Sequence, residues 1–515
     1  MFAALLFLYG LGATSLQDND ETRFGLIART MMQTGDWVVP RWSHRPQGTK
    51  PPFFMWAIAG FSAVSGRVTS WSARLPSALA GVGVVLLTYF LGRRLFPRPV
   101  PFLAGLVVGA NLAFYESART AQTDMLLVFF VLLAATLALE GHARRGALCY
   151  ILVPCAYAAA GLAVLTKGPV GLLLPGFIVL SVLVARGGWK KFPFLPHLAG
   201  LAVAVAVAGA WYVLYQESVG GEAARQSVIR ENFFRYLSGF DHRRPVYYFV
   251  HTFAAEFMPW TPVFLLSLGW AWANRKSNAG GYGAVLLWMA LIFVFFSFSA
   301  SKRSQYILPL YPAAALMTAA FLAAAFSPGG EAPARWRMAG LWTYRAVAFA
   351  AMGLGVGGSV LAAFRFRPYL VPAVAGGVLV AAFGAWMLRE TFRLSSRRVI
   401  WVIPVGFLFI HLIVQPIAAP HLERRKSPRP YAREVAGLVG GHHLVSYRYS
   451  RASLAFYAPP EMGEVFYVYG WDSFPYFFRD HQEPVYVLMS RENFQALPRE
   501  ALAGSRVLRR NLRYR

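Results

Sequence analysis

Cysteine is nearly absent: Cys149 and Cys155 are the only two in 515 residues, and both fall within one apolar run. That excludes a disulfide framework and a thiolate metal motif, and leaves both as core filler. Charge is also scarce, at 14% of residues, and acids are fewer than bases, with 23 Asp and Glu against 50 Lys and Arg. A net charge of +27 would suit nucleic acid. Much of the Lys and Arg, however, lies in short clusters between apolar runs, which is the pattern of membrane topology, so no nucleic-acid partner is expected. No internal repeat or low-complexity tract occurs, and with them goes any sequence sign of an inverted-repeat transporter.

What is abundant is apolar side chain, at 57% of residues with a mean hydropathy of +0.45. This exceeds what one water-soluble core needs. Apolar runs of about 17 to 25 residues recur, each long enough to cross a hydrocarbon core of roughly 30 Å as a helix, whereas barrel strands would be half that length and would alternate. The fold class expected is mainly α, a polytopic integral membrane protein with about thirteen transmembrane helices. The candidate spans run roughly over 2–16, 74–92, 101–117, 124–140, 147–165, 169–186, 195–215, 259–273, 281–298, 304–326, 341–363, 370–388 and 399–418.

The basic loops set an orientation. "RRLFPRP", "ARRG", "ARGGWKKF", "NRKS", "PARWR" and "RETFRLSSRR" fall on alternate turns and predict the cytoplasmic side. The stretches 17–73, 118–123, 166–168, 216–258, 299–303 and 364–369, and everything after 418, then face outward. The first run is short and lacks a basic flank, so a cleaved signal peptide is the rival reading; it is read as a retained span because no basic region precedes Phe2 to Leu8 and no convincing A-x-A site follows.

After "FLFIHLIVQPIAAP" the composition becomes polar and basic with Pro and Gly punctuation. The expected division is a membrane domain over 1–420 and a small extracytoplasmic α/β domain over 421–515. In the latter, β-rich runs "HLVSY", "VFYVYG", "PVYVLM" and "RVLRRNLRYR" alternate with the amphipathic "YAREVAGLVG" and "SRENFQAL".

The first outer loop is unusually rich in charge. Phe24, Ile27, Ala28, Met31 and Met32 recur at helical spacing, which predicts an interfacial helix capped at Asp20 and stopped at Gly35. Capping alone accounts for Asp20, although a cap and a catalytic base are not exclusive. Lys50 precedes Pro51 and Pro52 at the start of another short apolar segment, placed to snorkel to headgroups or to hold a lipid phosphate. Asp124 stands at the mouth of the fourth span, within a turn of Arg119, as a cap or a site residue. Lys167 occupies a very short turn, "ENFFRYLSGFDHRRPVYYF" contributes Glu231 and Arg235, and "SASKRSQYILPLYP" contributes Lys302, Arg303 and Tyr306. The topology brings these acids and cations to one face. Cations gathered there in partly dry surroundings would repel without an anion between them, which is what phosphate recognition requires.

"NDETRFGLIARTMMQTGDWVVPR", "TKPP", "VLTKG", "RRPVYYF…MPW" and "FFSFSASKRSQYILP" together resemble the aminoarabinose transferase group of membrane glycosyltransferases. That group is akin to the protein mannosyltransferases and oligosaccharyltransferases of the C-type glycosyltransferase fold. The resemblance implies a bacterial inner-membrane enzyme, active on the periplasmic side, that takes a sugar from a polyprenyl-phosphate donor and delivers it to an extracytoplasmic acceptor such as lipid A, an envelope glycan or a protein. It implies catalytic acids at Asp20 and Asp124, donor-phosphate contacts at Lys50, Arg235 and Tyr306, and a supporting role for Lys167. Lys302 and Lys167 are expected to join the donor-phosphate set, and Glu21, Arg23 and Glu231 to support the site.

Two departures stand out. Relatives of the aminoarabinose type have Glu before the "KPP" lysine and His after the Glu of the fourth outer loop, a pair able to bind zinc. Here those positions hold Thr49 and Asn232, neither a good zinc ligand, so no metal and no cofactor is expected. A single displacement with inversion is expected, with Lys167 or Arg23 beside Asp20. The protein is expected to be a monomer in contact with membrane lipids. The competing class is a lipid or sugar transporter, whose sites sit near mid-membrane rather than at one face.

Overall fold

The structure, a computed structural model, describes residues 1–17, 20–42, 45–47, 50–144, 146–188, 193–222, 236, 243–274, 279–365, 367, 370–393, 398–448, 452–459, 461–462, 465–468, 485–497, 506 and 508. Thr49, Glu231, Asn232 and Arg235, among the expected site residues and departures, lie outside that set.

The chain is mostly helical and is a multi-pass membrane protein. Among the described residues eight helices are long and apolar enough to cross a membrane, or nine if one bent pair counts as a single span. Of the predicted spans, the one over 2–16 is helical only through α1 (Phe2–Leu8). It ends where Gly10 takes a left-handed φ of +62° and where the carbonyls of Leu6, Phe7 and Tyr9 accept from the Arg119 guanidinium at 3.1, 3.1 and 2.7 Å in place of a further helical turn. There follow α2 (Asp20–Thr34), α3 (Phe53–Ala63) and α4 (Ser70–Leu95). α4 starts from a reciprocal cap in which Thr69 and Ser72 each satisfy the other's backbone N–H.

The predicted straight span 101–117 is instead α5 (Val100–Gly109) and α6 (Leu112–Ala118), bent by 69°. The break frees backbone groups that hydrocarbon cannot satisfy. Trp260 Nε1 donates to the Ala110 carbonyl at 2.9 Å, the Leu112 N–H to the Met258 carbonyl at 3.1 Å, and the Phe114 N–H to Asn111 Oδ1 at 3.0 Å. α7 (Thr123–Ala143), α8 (Ala147–Lys167), α9 (Val170–Arg186) and α10 (Phe194–Val219) continue the bundle.

A 3-10 turn (Ser304–Leu310) leads into the helix Tyr311–Phe326, whose alanine-rich surface lets neighbours approach closely and leaves it almost wholly buried at the centre. The helices Ala334–Arg365 and Leu370–Phe392 are peripheral and present large apolar side chains such as Leu354, Phe364 and Val371 outward. The last span, Val399–Lys426, continues beyond its apolar part and carries the chain to a second cluster of elements.

Strands β1 (Arg41–Trp42) and β2 (Arg45–Pro46) pair in the loop after α2. Near the C-terminus β3 (Leu444–Tyr447), β4 (Val465–Val468) and β5 (Tyr486–Met489) form a parallel sheet in the order β4-β3-β5. Helices Arg429–Val439 and Ala452–Tyr457 pack beside it. These elements coincide with the β-rich and amphipathic runs read from the sequence; the run from Arg506 falls mostly outside the described residues.

Two ends of the bundle differ in chemistry. At one, Arg94 pairs with Glu140 at 2.6 Å and Arg186 donates to the Arg94 carbonyl, joining three of the basic loops. At the other lie the start of α2, the start of α7, the end of α8 and the 3-10 turn.

Candidate active site

α2 forms as its spacing predicts. Phe24, Ile27, Ala28 and Met31 are buried on one stripe, and Gly35 follows with φ +72° as its N–H closes on Met31 O at 3.0 Å. The stripe packs into the protein's own core against α3. A merely interfacial helix would have left it to lipid.

Asp20 opens that helix. Its Oδ1 accepts from Arg23 Nη2 at 2.5 Å and its Oδ2 faces Arg303 Nη1 at 3.4 Å. One guanidinium comes from its own helix and the other from the segment before the 3-10 turn, so the carboxylate is oriented from both sides.

The neighbouring acid, Glu21, is 4% exposed and points the other way. It receives Arg74 Nε and Nη2 at 2.8 and 2.9 Å, the Ala121 N–H at 2.9 Å and the Gln17 N–H at 2.9 Å. Arg74 also donates to the carbonyls of Leu11, Thr14 and Ser15 at 3.1, 3.0 and 3.0 Å. This buried bidentate pair ties the segment before α2 to α4 and to the turn preceding α7, with nearly every donor matched. Arg74 was absent from the expected site; the signal available was a lone Arg entering an apolar run.

Asp124, in the first turn of α7, pairs with Lys167 at the last residue of α8, both largely buried. Of the two cations expected beside Asp20, Arg23 is there, joined by Arg303, and Lys167 is instead the partner of Asp124. The Lys167 ammonium also lies 4.8 Å from the Tyr306 ring centroid, a cation–π contact. Because Tyr306 follows Arg303 by three residues, with its N–H on the Arg303 carbonyl at 3.0 Å, one short segment touches both acid clusters.

Lys302 is 4% exposed, and its ammonium donates to the carbonyls of Ser299 and of Arg244, the latter at 3.1 Å. Burial lowers its pKa below that of an ordinary lysine. With two of three donors spent on backbone it ties two loops together. Lys50 stands half-buried just before the buried Pro51 and Pro52, which lead into α3. Behind it the loop after α2 is pinned by Asp36, which accepts from the backbone of Val38 and Val39 and from Arg41 at 3.1, 3.0 and 3.1 Å.

Several known proteins are similar to this chain. The model of the dolichyl-phosphate-mannose-protein mannosyltransferase family matches residues 49–212. The undecaprenyl phosphate-alpha-4-amino-4-deoxy-L-arabinose arabinosyl transferase of Pseudomonas aeruginosa is 28% identical over 462 residues, covering 86% of this chain and 79% of its own length. An uncharacterised protein of Aquifex aeolicus is 27% identical over 457 residues, covering 88% and 85%. The crystal structure of ArnT from Cupriavidus metallidurans bound to undecaprenyl phosphate superposes with a TM-score of 0.78 at 25% identity, over 99% of this chain and 95% of that one.

Proposed function

We propose that this chain, an aminoarabinose-transferase-like membrane glycosyltransferase related to the protein mannosyltransferases, moves a sugar from an undecaprenyl-phosphate-type donor to an acceptor at the membrane face where α2 lies. The observation that carries the reading is the convergence at that face of Asp20 with Arg303, and of Asp124 with Lys167 and Tyr306, on a fold matched over nearly its whole length by ArnT. Charged groups gathered at one end, with none of these pairs at mid-span, do not suit a transporter site.

In this reading Asp20 accepts the proton of the acceptor hydroxyl as that oxygen attacks the anomeric carbon. The bond from that carbon to the donor phosphate oxygen breaks, its electron pair leaving with the phosphate, so the product is inverted. The polyprenyl phosphate leaves without needing a proton if its charge is met. Lys50, Arg235 and the Tyr306 hydroxyl are assigned to that task. Asp124 holds Lys167 against Tyr306 and so positions the phosphate-facing ring. Lys302 is left out of the phosphate set for the geometric reason given above.

Thr49 and Asn232 stand where the zinc-binding relatives carry Glu and His. A hydroxyl and an amide do not make that donor pair, so the proposed reaction uses no metal. The finer architecture belongs to the same reading: thirteen spans, the division at residue 420, a periplasmic site and C-terminal unit, and the bacterial inner membrane. So does function as a monomer.

The experiment is transfer from radiolabelled polyprenyl-phosphate sugar in membranes carrying the wild-type chain, with Lys50→Ala alongside. Transfer by the wild type, with a donor KM raised about tenfold or more by Lys50→Ala, a loss of about 1.4 kcal/mol, supports the reading. Membranes that move the labelled donor across the bilayer without forming glycosylated product would favour the transporter instead.

A further inference from the structure

The C-terminal elements do not stand apart from the site. The helix Ala452–Tyr457 lies along α2, and the contacts grip the segment on both sides of Asp20. Upstream, the Leu16 N–H donates to the Tyr457 hydroxyl at 2.7 Å. One residue earlier, the Ser15 N–H and Oγ–H donate to the Glu423 carboxylate at 2.7 and 2.6 Å. Downstream, Arg29 Nη2 donates to the Phe456 carbonyl at 2.9 Å, and its guanidinium lies 4.2 Å from the Phe456 ring centroid. Between these, Gly25 makes room for the ring: a Cβ there would sit 3.0 Å from Phe456 Cε2 and 3.2 Å from Leu16 Cδ1.

Contacts at both ends of a short segment fix its translation and its rotation together. Asp20 is sensitive to both, because its two oxygens are met by guanidinium groups on different elements and the Arg303 contact is already at 3.4 Å. A small shift of α2 along its axis breaks that contact while leaving Arg23, on the same helix, in place. Displacements of about 1 Å in a catalytic group cost up to about 100-fold in rate without a matching loss of substrate binding.

We propose that the Phe456–Tyr457 edge of the C-terminal unit is a positioning element of the transferase site, which acts through α2 to hold the Asp20 carboxylate in register with Arg303. The inference rests on the transferase reading above. It gives the C-terminal unit a part in the chemical step, distinct from a dock for the acceptor. Tyr457 and Phe456 touch no reacting atom in this scheme; they set where α2 lies.

The test uses the full-length protein. Tyr457→Phe removes one hydroxyl acceptor without changing volume, and Gly25→Ala wedges the same interface from the other side. Initial rates are measured in membranes against polyprenyl-phosphate sugar concentration, and undecaprenyl phosphate binding and Tm are measured on purified protein. For Tyr457→Phe the expected result is a kcat lowered about tenfold, with donor KM and undecaprenyl phosphate Kd within about twofold of wild type and Tm nearly unchanged. Gly25→Ala shows the same pattern, weaker because the ring need move only a few tenths of an ångström, and Glu492→Gln, on the far side of the sheet elements, leaves kcat alone. Unchanged kcat in Tyr457→Phe, or a loss restored by raising acceptor-membrane concentration, overturns the proposal and in the second case makes the edge an acceptor dock. A wild type that transfers no sugar instead overturns the transferase reading itself.

Discussion

Arg303 and Tyr306 lie three residues apart at the start of one 3-10 turn, and between them they reach Asp20 directly and Asp124 through its partner Lys167. The Arg303 guanidinium faces Asp20 at 3.4 Å, while the Tyr306 ring lies 4.8 Å from the Lys167 ammonium that pairs with Asp124. A single segment therefore sets the spacing between the proposed base and the proposed phosphate cradle, and changes to its two side chains should separate the two roles.

Arg303→Ala removes an orienting group from Asp20 at a partly exposed pair, where such contacts contribute about 0–1 kcal/mol to stability. The expected outcome is little change in Tm and a fall in kcat of about 10- to 100-fold with donor KM nearly constant. Tyr306→Phe keeps the ring beside Lys167 but loses the hydroxyl. It should raise donor KM severalfold with a smaller effect on kcat, read from initial rates at varied donor.

The Arg74–Glu21 pair tests architecture. Removing one member leaves the other buried and unmatched, so Arg74→Ala or Glu21→Ala should each destabilise the protein by about 3–5 kcal/mol. Thermal or denaturant unfolding in detergent measures this, and the two losses should be far from additive in the double variant because the partners share one network.

Glu256 supplies a pH dependence. Burial raises its pKa above the usual carboxylate range; hydrogen bonds from Ser304 and Tyr311 pull it back without cancelling the rise, and Glu116 adds to it. A raised folded pKa means that the folded protein binds more proton than the unfolded chain between the unfolded value, near 4.5, and the folded one. Stability from this group is therefore full below that window and falls as pH rises through it. Glu256→Gln should match wild type near pH 4 and gain on it towards pH 7, measured as the difference in Tm across that range.

Much of the scaffold was legible because it depends on local pattern. The apolar stripe of α2, its stop at Gly35 and the three short strands followed from periodicity and turn residues, and the site end followed from the alternation of basic loops. What the sequence did not disclose depends on partners distant along the chain. The bend at Ala110 is made tolerable by Trp260 and Met258, some 150 residues away. Lys302 donates to the Arg244 and Ser299 carbonyls, contacts that composition alone does not disclose. Arg74 read as the edge of a span because its carboxylate lies 53 residues earlier, and the choice between Lys167 and Arg23 for Asp20 stayed open because both acids sit at the same face. Arg235 and Glu231, named from their motif, lie outside the described residues.

The central claim is that Asp20 is the base of the transfer step, and Asp20→Asn tests it most directly. The amide is nearly the same size and keeps an oxygen for a guanidinium partner, but it does not take up a proton. Single-turnover transfer from radiolabelled polyprenyl-phosphate sugar, measured beside undecaprenyl phosphate binding, should show a rate lowered at least about 100-fold, on the scale of a general-base contribution, with binding retained. Full transfer by Asp20→Asn would contradict the account.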